Sequence, residues 1–149
     1  MTIAKRKTKK KSKLKTLPQL HNYAAELLQK LVRLKASDDN GYCSCVTCGI
    51  TKRWNDGMQG GHFISRGKAP TKLMEENIHP QCAGCNKFGM QFRDVEKVYT
   101  LYMIDMYGRD EVDAMIVQSG AVHKWVRSDL DDFIVDMKQQ IKYQEDKIS

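Results

Sequence analysis

Two pairs of cysteines are the residues of this chain best suited to metal chemistry. Cys45 and Cys48 form one C-x-x-C pair, Cys82 and Cys85 form the other, and 33 residues separate the pairs. Each such turn presents two sulfurs to one ion, and four thiolates suit a closed tetrahedral Zn²⁺ site. The spacing therefore predicts a structural zinc site, with disulfide bonds as the alternative.

The compartment in which the chain works decides between these two interpretations. The sequence has no apolar secretory signal and no apolar run long enough to cross a membrane, so we expect a cytoplasmic protein with no membrane partner. Thiols stay reduced there, which favours zinc. Cys43 could replace Cys45 as a ligand, but it forms no C-x-x-C turn with Cys48, and we interpret it as a free or packing cysteine.

Three polar residues accompany the cysteine pairs. His62 follows two glycines, Asn77 comes fifteen residues later, and Asn86 directly follows the last cysteine. A neutral imidazole, with an ordinary pKa of about 6.5, can take a proton from water near pH 7. The Asn77 amide could hold a loop or orient the histidine ring, and the Asn86 carbonyl could ligate a hard divalent ion.

The net charge of +7 is concentrated at the N-terminus. Residues 1–16 hold eight basic residues, with Lys9, Lys10 and Lys11 at their centre, and no acidic residue, while the rest of the chain is nearly neutral. Such a block repels itself and stays disordered until it meets a polyanion. We predict a disordered basic tail that binds nucleic acid, and a merely solubilising tail is the alternative.

One domain over residues 17–149 must position the polar side chains. Apolar residues at three- and four-residue steps predict a helix over residues 18–35. Residues 42–86 are rich in glycine and predict a small hairpin that carries the motifs. Helices are predicted over residues 92–107 and 109–119, and a final helix should begin at a capping box formed by Ser128 and Asp131.

The motifs, taken in order, resemble a known nuclease signature. Gly61-His62, Asn77 to Cys82, and Cys85-Asn86 are similar to the HNH, or ββα-metal, signature. The stretches C-V-T-C-G, G-H-F-I-S-R, E-N-I-H-P-Q-C-A-G-C-N and Y-G-R-D-E-V together resemble the phage NinG/Rap recombination endonucleases over about residues 42–145. The four cysteines and the Cys-Asn step are also similar to the endonuclease VII junction resolvases.

This resemblance implies an α+β fold in which α-helices flank a small, zinc-stabilised ββα-metal core. It implies an enzyme that cuts branched DNA, such as four-way junctions or D-loops, during phage recombination in the cytoplasm of a bacterial host. By position, His62 would be the general base, Asn86 a ligand of catalytic Mg²⁺ or Mn²⁺, and Asn77 the residue that fixes the loop. The two cysteine pairs would hold the structural Zn²⁺.

One metal ligand is missing from the signature. Many HNH enzymes carry an acidic residue or a second histidine directly before the base, where this chain has Gly61. His79 is the preferred replacement, because it projects from the same face as Asn77 if both lie on one strand. Asp56, the nearest acidic residue in the interval, and water are the alternatives.

Basic residues near the motif are candidates for contacts to DNA. Arg66 and Lys68 follow the proposed base, and Arg93 lies in the next predicted helix; ordinary solvated charge is the alternative. Contacts to phosphates alone would read the shape of DNA rather than its sequence, which fits a branched substrate. Two paired nicks resolve a junction, so we also expect a homodimer, weakly supported by the apolar faces of the first and last helices.

Two other functions stay open at this point. The chain could be a zinc-stabilised DNA-binding protein without hydrolytic activity, or an HNH enzyme that nicks duplex DNA. Its charge and cysteines fit all three functions, whereas His62, Asn77 and Asn86 favour catalysis, because simple binding needs no base and no second metal.

Deleting residues 1–16 should weaken the salt dependence of DNA binding. If all eight basic residues of the tail contact phosphates, the slope of log affinity against log salt should become about 7 shallower on duplex DNA. Binding titrations over a series of salt concentrations measure this slope, with zinc content as the control for folding. An unchanged slope would mean that the tail only solubilises the protein.

Overall fold

The computed structural model describes residues 14–92 and 94–148. Its elements are α1 (Leu17–Lys35), β1 (Tyr42–Ser44), β2 (Thr51–Arg53), β3 (Met58–His62), α2 (Ala69–Lys72), a 3₁₀ helix (Glu75–Asn77), β4 (Ile78–Cys82), a π-helix (Cys85–Gly89), α3 (Met90–Phe92), α4 (Val95–Tyr107), α5 (Arg109–Ser119) and α6 (Arg127–Glu145). The predicted α+β class is confirmed. Lys9, Lys10, Lys11 and Arg93 lie outside the described residues, and none of the helices in the described part combines the length and the apolar character that crossing a bilayer requires.

The first helix starts at a capping box. Thr16 Oγ1 accepts a hydrogen bond from the Gln19 amide at 3.3 Å, and Gln19 Oε1 accepts one from the Thr16 amide at 2.9 Å. Lys15 Nζ lies 3.6 Å from the centroid of the Tyr23 ring. Lys15 and Thr16 thus pack with the folded domain, not with the tail to which the sequence assigned them. A shorter deletion that keeps both residues separates loss of charge from loss of the cap.

The first and last helices pack against each other and form most of the hydrophobic core. Leu28 and Leu31 of α1 are no more than 1% exposed and lie in one cluster with Met137 and Ile141 of α6 and Ile78 of β4. The apolar faces that supported a homodimer are therefore buried within one chain. The homodimer stays a prediction without that support.

The C-terminal helices differ from the predicted boundaries at two points. The predicted helix over residues 92–107 is interrupted, because α3 ends at Phe92 and α4 begins at Val95, whereas α5 has the predicted bounds. The predicted capping box at Ser128 is wrong. α6 begins at Arg127 after Val126, which makes no side-chain cap, so the serine already lies inside the first turn.

The strands form two separate antiparallel pairs, so the prediction of one hairpin over residues 42–86 is only partly right. β1 pairs with β2, and β3 pairs with β4. In the second pair Gly61 lies opposite His79, and His62 lies opposite Ile78. The chain between β3 and β4 contains α2 and the 3₁₀ helix. The residues that hold His62 in place lie in this connection, several residues further along the chain.

A π-helix follows β4 and carries Asn86. Extra residues of this kind in a helical turn are frequent at functional sites, because they change the direction of a side chain. At the end of the π-helix, a Cβ on Gly89 would lie only 2.5 Å from Val95 Cγ2. The absence of a side chain at Gly89 therefore lets the start of α4 pack directly onto the π-helix.

The packing of the second hairpin also explains why a glycine precedes His62. A Cβ at Gly61 would lie 1.9 Å from Oε1 of Gln81, a fully buried residue of β4. Gln81 Nε2 donates a hydrogen bond to Thr47 Oγ1 at 3.2 Å, while its Oε1 has no partner among the described residues. Gln81 thus fills the space in which a metal-binding side chain at position 61 would begin.

Gly61→Ala should destabilise the fold by about 1–3 kcal/mol, because the added methyl group overpacks the hairpin against Gln81. Gly84→Ala is the matched control. Gly84 has a φ of −63° and no atom within 4 Å of a Cβ, so alanine there should be neutral or stabilise by about 0.4–1 kcal/mol. Chemical denaturation of the zinc-loaded proteins measures both changes. Equal stability of the two variants would contradict this account of Gly61.

Candidate active site and metal centre

The four cysteines of the two C-x-x-C pairs meet at one end of both hairpins. Their Sγ atoms all lie within 4.8 Å of one another, and those of Cys48 and Cys82 are 3.7 Å apart. Zn–S bonds of about 2.3 Å in a tetrahedron place neighbouring sulfurs about 3.8 Å apart. The cluster therefore fits a structural metal such as zinc.

The fifth cysteine, Cys43, does not belong to this cluster. All five cysteines are free thiols, so the disulfide alternative does not describe this structure. Cys43 is 3% exposed and packs with Met58. It contributes to the apolar packing beside the metal centre and supplies no sulfur to it.

The thiols of the cluster have divergent acidities. Burial alone would raise the pKa of Cys45, but hydrogen bonds from Thr47 and from nearby backbone amides outweigh burial and lower this pKa to about 6. Burial, and then the neighbouring sulfurs, raise the pKa of Cys85 to about 12. Thiolates this close together repel one another, so the ionisation of all four requires a cation such as Zn²⁺.

His62 lies at the end of β3, and a backbone carbonyl orients its ring. His62 Nε2 lies 3.0 Å from the carbonyl oxygen of Lys72. Because a carbonyl can only accept, Nε2 carries the proton, and Nδ1 of the neutral ring keeps a free lone pair. No described residue hydrogen-bonds Nδ1. Burial lowers the pKa of His62 below its ordinary value, so the ring is neutral near pH 7 and can accept a proton.

Lys72 supports this histidine through its backbone, and its side chain anchors α2. Lys72 Nζ donates a 2.6 Å hydrogen bond to Asn22 Oδ1 on α1. Burial, followed by the charge of Arg66, lowers the pKa of this amine. Sequence reasoning missed Lys72 because a backbone carbonyl leaves no signal in residue type.

Asn77 closes the loop that follows His62. It is fully buried and lies in the 3₁₀ helix before β4. Its Oδ1 accepts from the Ile64 amide at 2.7 Å, and its Nδ2 donates to the carbonyls of Ile64 and Thr71 at 3.0 and 3.1 Å. These bonds hold both ends of the loop together and fix α2, from which the carbonyl partner of His62 comes.

Asn86 is held by one half of its amide and leaves the other half free. Its Nδ2 donates a 2.8 Å hydrogen bond to Gln59 Oε1 on β3. No described residue donates to its Oδ1, which is not a buried atom. Asn86 thus presents an oriented carbonyl oxygen, the kind of ligand that Mg²⁺ and Mn²⁺ accept.

One cavity brings the proposed base and the proposed ligand together. It has a volume of about 390 Å³, and its walls include His62, Arg66, Asn86 and Glu96. Lys68 is exposed two residues after Arg66 in the same loop. Glu96 was not predicted from the sequence, because it belongs to no motif and reaches the cavity only through the packing of α4. The free atoms of His62 and Asn86 fit a water molecule and a hard cation.

His79 does not reach this cavity, because hydrogen bonds hold both of its ring nitrogens elsewhere. Tyr99 donates its hydroxyl proton to the Gly61 carbonyl at 2.7 Å, so the same hydroxyl accepts from His79 Nδ1 at 3.0 Å. His79 Nε2 then accepts from the Tyr107 hydroxyl at 2.8 Å. Burial lowers the pKa of His79 to about 4. The ring is neutral and fully occupied, so the preference for His79 as the missing ligand is dropped.

Two further observations favour the His62 cavity over other places for the proposed chemistry. Asp56 is exposed in the turn before β3, whereas His62 ends that strand, and four strand steps put about 13 Å between the ends. A larger cavity of about 630 Å³ is lined by His79 and Tyr107, among others, but by neither His62 nor Asn86. The candidate active site is therefore the smaller cavity.

Comparison with known proteins gives one match. The family model described as bacteriophage lambda NinG protein matches residues 2–147. No curated protein and no solved structure matches the chain. The match confirms the resemblance noted in the sequence and covers both cysteine pairs, the His62 cavity and the flanking helices.

The metal centre predicts one Zn²⁺ per chain and a fold that depends on it. Cys82→Ser should lose zinc and unfold the centre of the domain, because structural zinc sites contribute on the order of 10 kcal/mol of coupled folding free energy. Cys43→Ser is the matched control and should keep its zinc. Elemental analysis and circular dichroism check both variants. A wild-type protein without bound metal, or with oxidised sulfurs, would contradict the prediction.

Proposed function

The chain belongs to the family of the bacteriophage lambda NinG protein, and from this membership and its active-site geometry we propose that it is a metal-dependent endonuclease that cuts branched DNA. The observation that carries the proposal is a pair of acceptors at one cavity, His62 Nδ1 and Asn86 Oδ1, to which no residue in the described part of the chain donates. A protein that only binds DNA has no need of an oriented base beside a metal ligand.

The order of the elements around the cavity supports an HNH-type assignment. β3 carries His62 at its end, β4 pairs with it in antiparallel fashion, and the helical segment after β4 carries Asn86. This is the order of a ββα-metal core, in which the base comes from the first strand and a ligand from the helix. Asn77 has the contacts expected of a residue that fixes the intervening loop.

The mechanism uses His62 as the general base. Nδ1 takes a proton from a water molecule in the cavity, and the resulting oxygen nucleophile attacks the phosphorus in line with the leaving 3′ oxygen. The Lys72 carbonyl, already bonded to Nε2, stabilises the imidazolium that forms. A general base contributes about 10²–10⁴-fold. Bound Mg²⁺ or Mn²⁺, with Asn86 as a ligand, would stabilise the charge on the phosphate and the leaving oxygen.

The charge around the cavity fits a phosphate backbone. Arg66 lines the cavity and Lys68 is exposed beside it, so both can contact phosphates near the cut. Such contacts recognise the shape of DNA, which suits a junction or D-loop. The basic residues 1–16 would add affinity for any DNA, and a homodimer would supply the two nicks that a junction requires.

Two competing functions make different predictions for cleavage. A non-catalytic zinc protein would bind junctions without cutting them in any divalent metal. An HNH nickase for duplex DNA would cut matched linear duplexes at least as fast as junctions. Assays on a four-way junction and on linear duplexes of the same sequence, with Mg²⁺ and with Mn²⁺, separate the three functions.

His62→Ala should reduce cleavage of branched DNA by at least about a hundredfold, because it removes the proton acceptor. Zinc content and junction affinity should stay near those of the wild type. Asn86→Ala should also lose activity, but through the metal, so raised Mg²⁺ or Mn²⁺ should restore part of it and should not restore His62→Ala. Rates at several metal concentrations measure this difference. If both variants cut normally, the nuclease proposal fails.

A further inference from the structure

A second protein ligand for the catalytic metal has to come from outside the HNH signature. Position 61, where many HNH enzymes carry a metal-binding side chain, holds a glycine whose side-chain space is filled by Gln81. His79 and Asp56 do not line the cavity. Among the described residues, one acidic side chain lines it, that of Glu96 in the first turn of α4.

The carboxylate of Glu96 is free to bind a cation. It forms no salt bridge and no hydrogen bond with any described residue; within this helix, Lys97 pairs with Asp94 at 3.2 Å. The backbone of Glu96 is nevertheless held in place. Its carbonyl accepts a 2.9 Å hydrogen bond from Thr100 Oγ1, and the residue before it packs against Gly89 at the end of the π-helix. A fixed backbone thus places at the cavity a carboxylate that has no partner among the described residues.

The chemistry of the cavity favours a cation at this carboxylate. A negative side chain beside a DNA-cutting site repels the phosphate that must enter, unless a cation lies between them. Carboxylate and amide oxygens are also the ligands that Mg²⁺ and Mn²⁺ prefer. On the basis of the proposed function, we infer that Glu96 is the second protein ligand of the catalytic divalent ion, together with Asn86.

A different role for Glu96 would leave metal binding unchanged. An acidic residue in the first turn of a helix stabilises that helix through its interaction with the helix dipole. Removing the charge would then lower the stability of α4 slightly and would not alter affinity for a metal. Metal affinity therefore distinguishes a ligand from a helix-stabilising residue.

The experiment compares Glu96→Gln with Asp105→Asn in the full-length, zinc-loaded protein. Asp105 is exposed on the same helix, and the nine residue steps from Glu96 to Asp105 put it about 13 Å away and on the opposite side. Both changes remove one negative charge. Titration with Mn²⁺, followed by electron paramagnetic resonance of the free ion, measures affinity in the free protein and in its complex with a four-way junction.

Glu96→Gln should weaken Mn²⁺ binding by at least about tenfold, since even residues that only support metal ligands contribute tenfold or more. Asp105→Asn should bind Mn²⁺ like the wild type, and both variants should keep their zinc. Equal Mn²⁺ affinity of Glu96→Gln and the wild type would overturn the inference. So would a wild-type protein that binds no Mn²⁺ in either state, which would also overturn a metal-dependent nuclease. The expected affinities without any DNA cleavage would support the ligand and reject the proposed function.

Discussion

Mutual repulsion among four sulfurs is the constraint on which the centre of this protein depends. Four Sγ atoms within 4.8 Å of one another cannot all be ionised unless a cation lies between them. The two hairpins that supply them have strands of only three and five residues, and isolated hairpins of this size are marginally stable in water. A metal at this point would join the hairpins, and the second hairpin carries the proposed base.

Buried polar contacts from α4 then hold the second hairpin in place. The chain of hydrogen bonds from Tyr107 through His79 and Tyr99 ends on the carbonyl of Gly61, directly before His62. Gln81 fills the space beside the same glycine and reaches Thr47 in the first C-x-x-C turn. These buried side chains thus hold the strand in position before the proposed base, and the cavity lined by His62, Asn86 and Glu96 is left for the proposed chemistry.

The cavity combines groups from three elements. β3 supplies His62, whose ring is oriented by α2; the π-helix supplies Asn86, held by Gln59; and α4 supplies Glu96. The supports leave Nδ1 of His62 and Oδ1 of Asn86 without a partner among the described residues. One proposed base and two proposed oxygen ligands would suit the hydrolysis of a phosphodiester, and the nearby basic residues would suit a DNA substrate.

Local patterns were enough to predict the four-cysteine cluster, the α+β class, the first helix and α5. Ligand spacing and helical periodicity extend over a few residues, so they can be read without the fold. Tertiary structure decided the rest of the site. Both ring nitrogens of His79 are hydrogen-bonded to tyrosines that lie 20 and 28 residues further along the chain. Glu96 reaches the cavity because α4 packs onto the π-helix, where the absence of a side chain at Gly89 leaves room for Val95. Which residues line the site depends on contacts between distant segments of the chain. Residue type and local spacing do not predict such contacts.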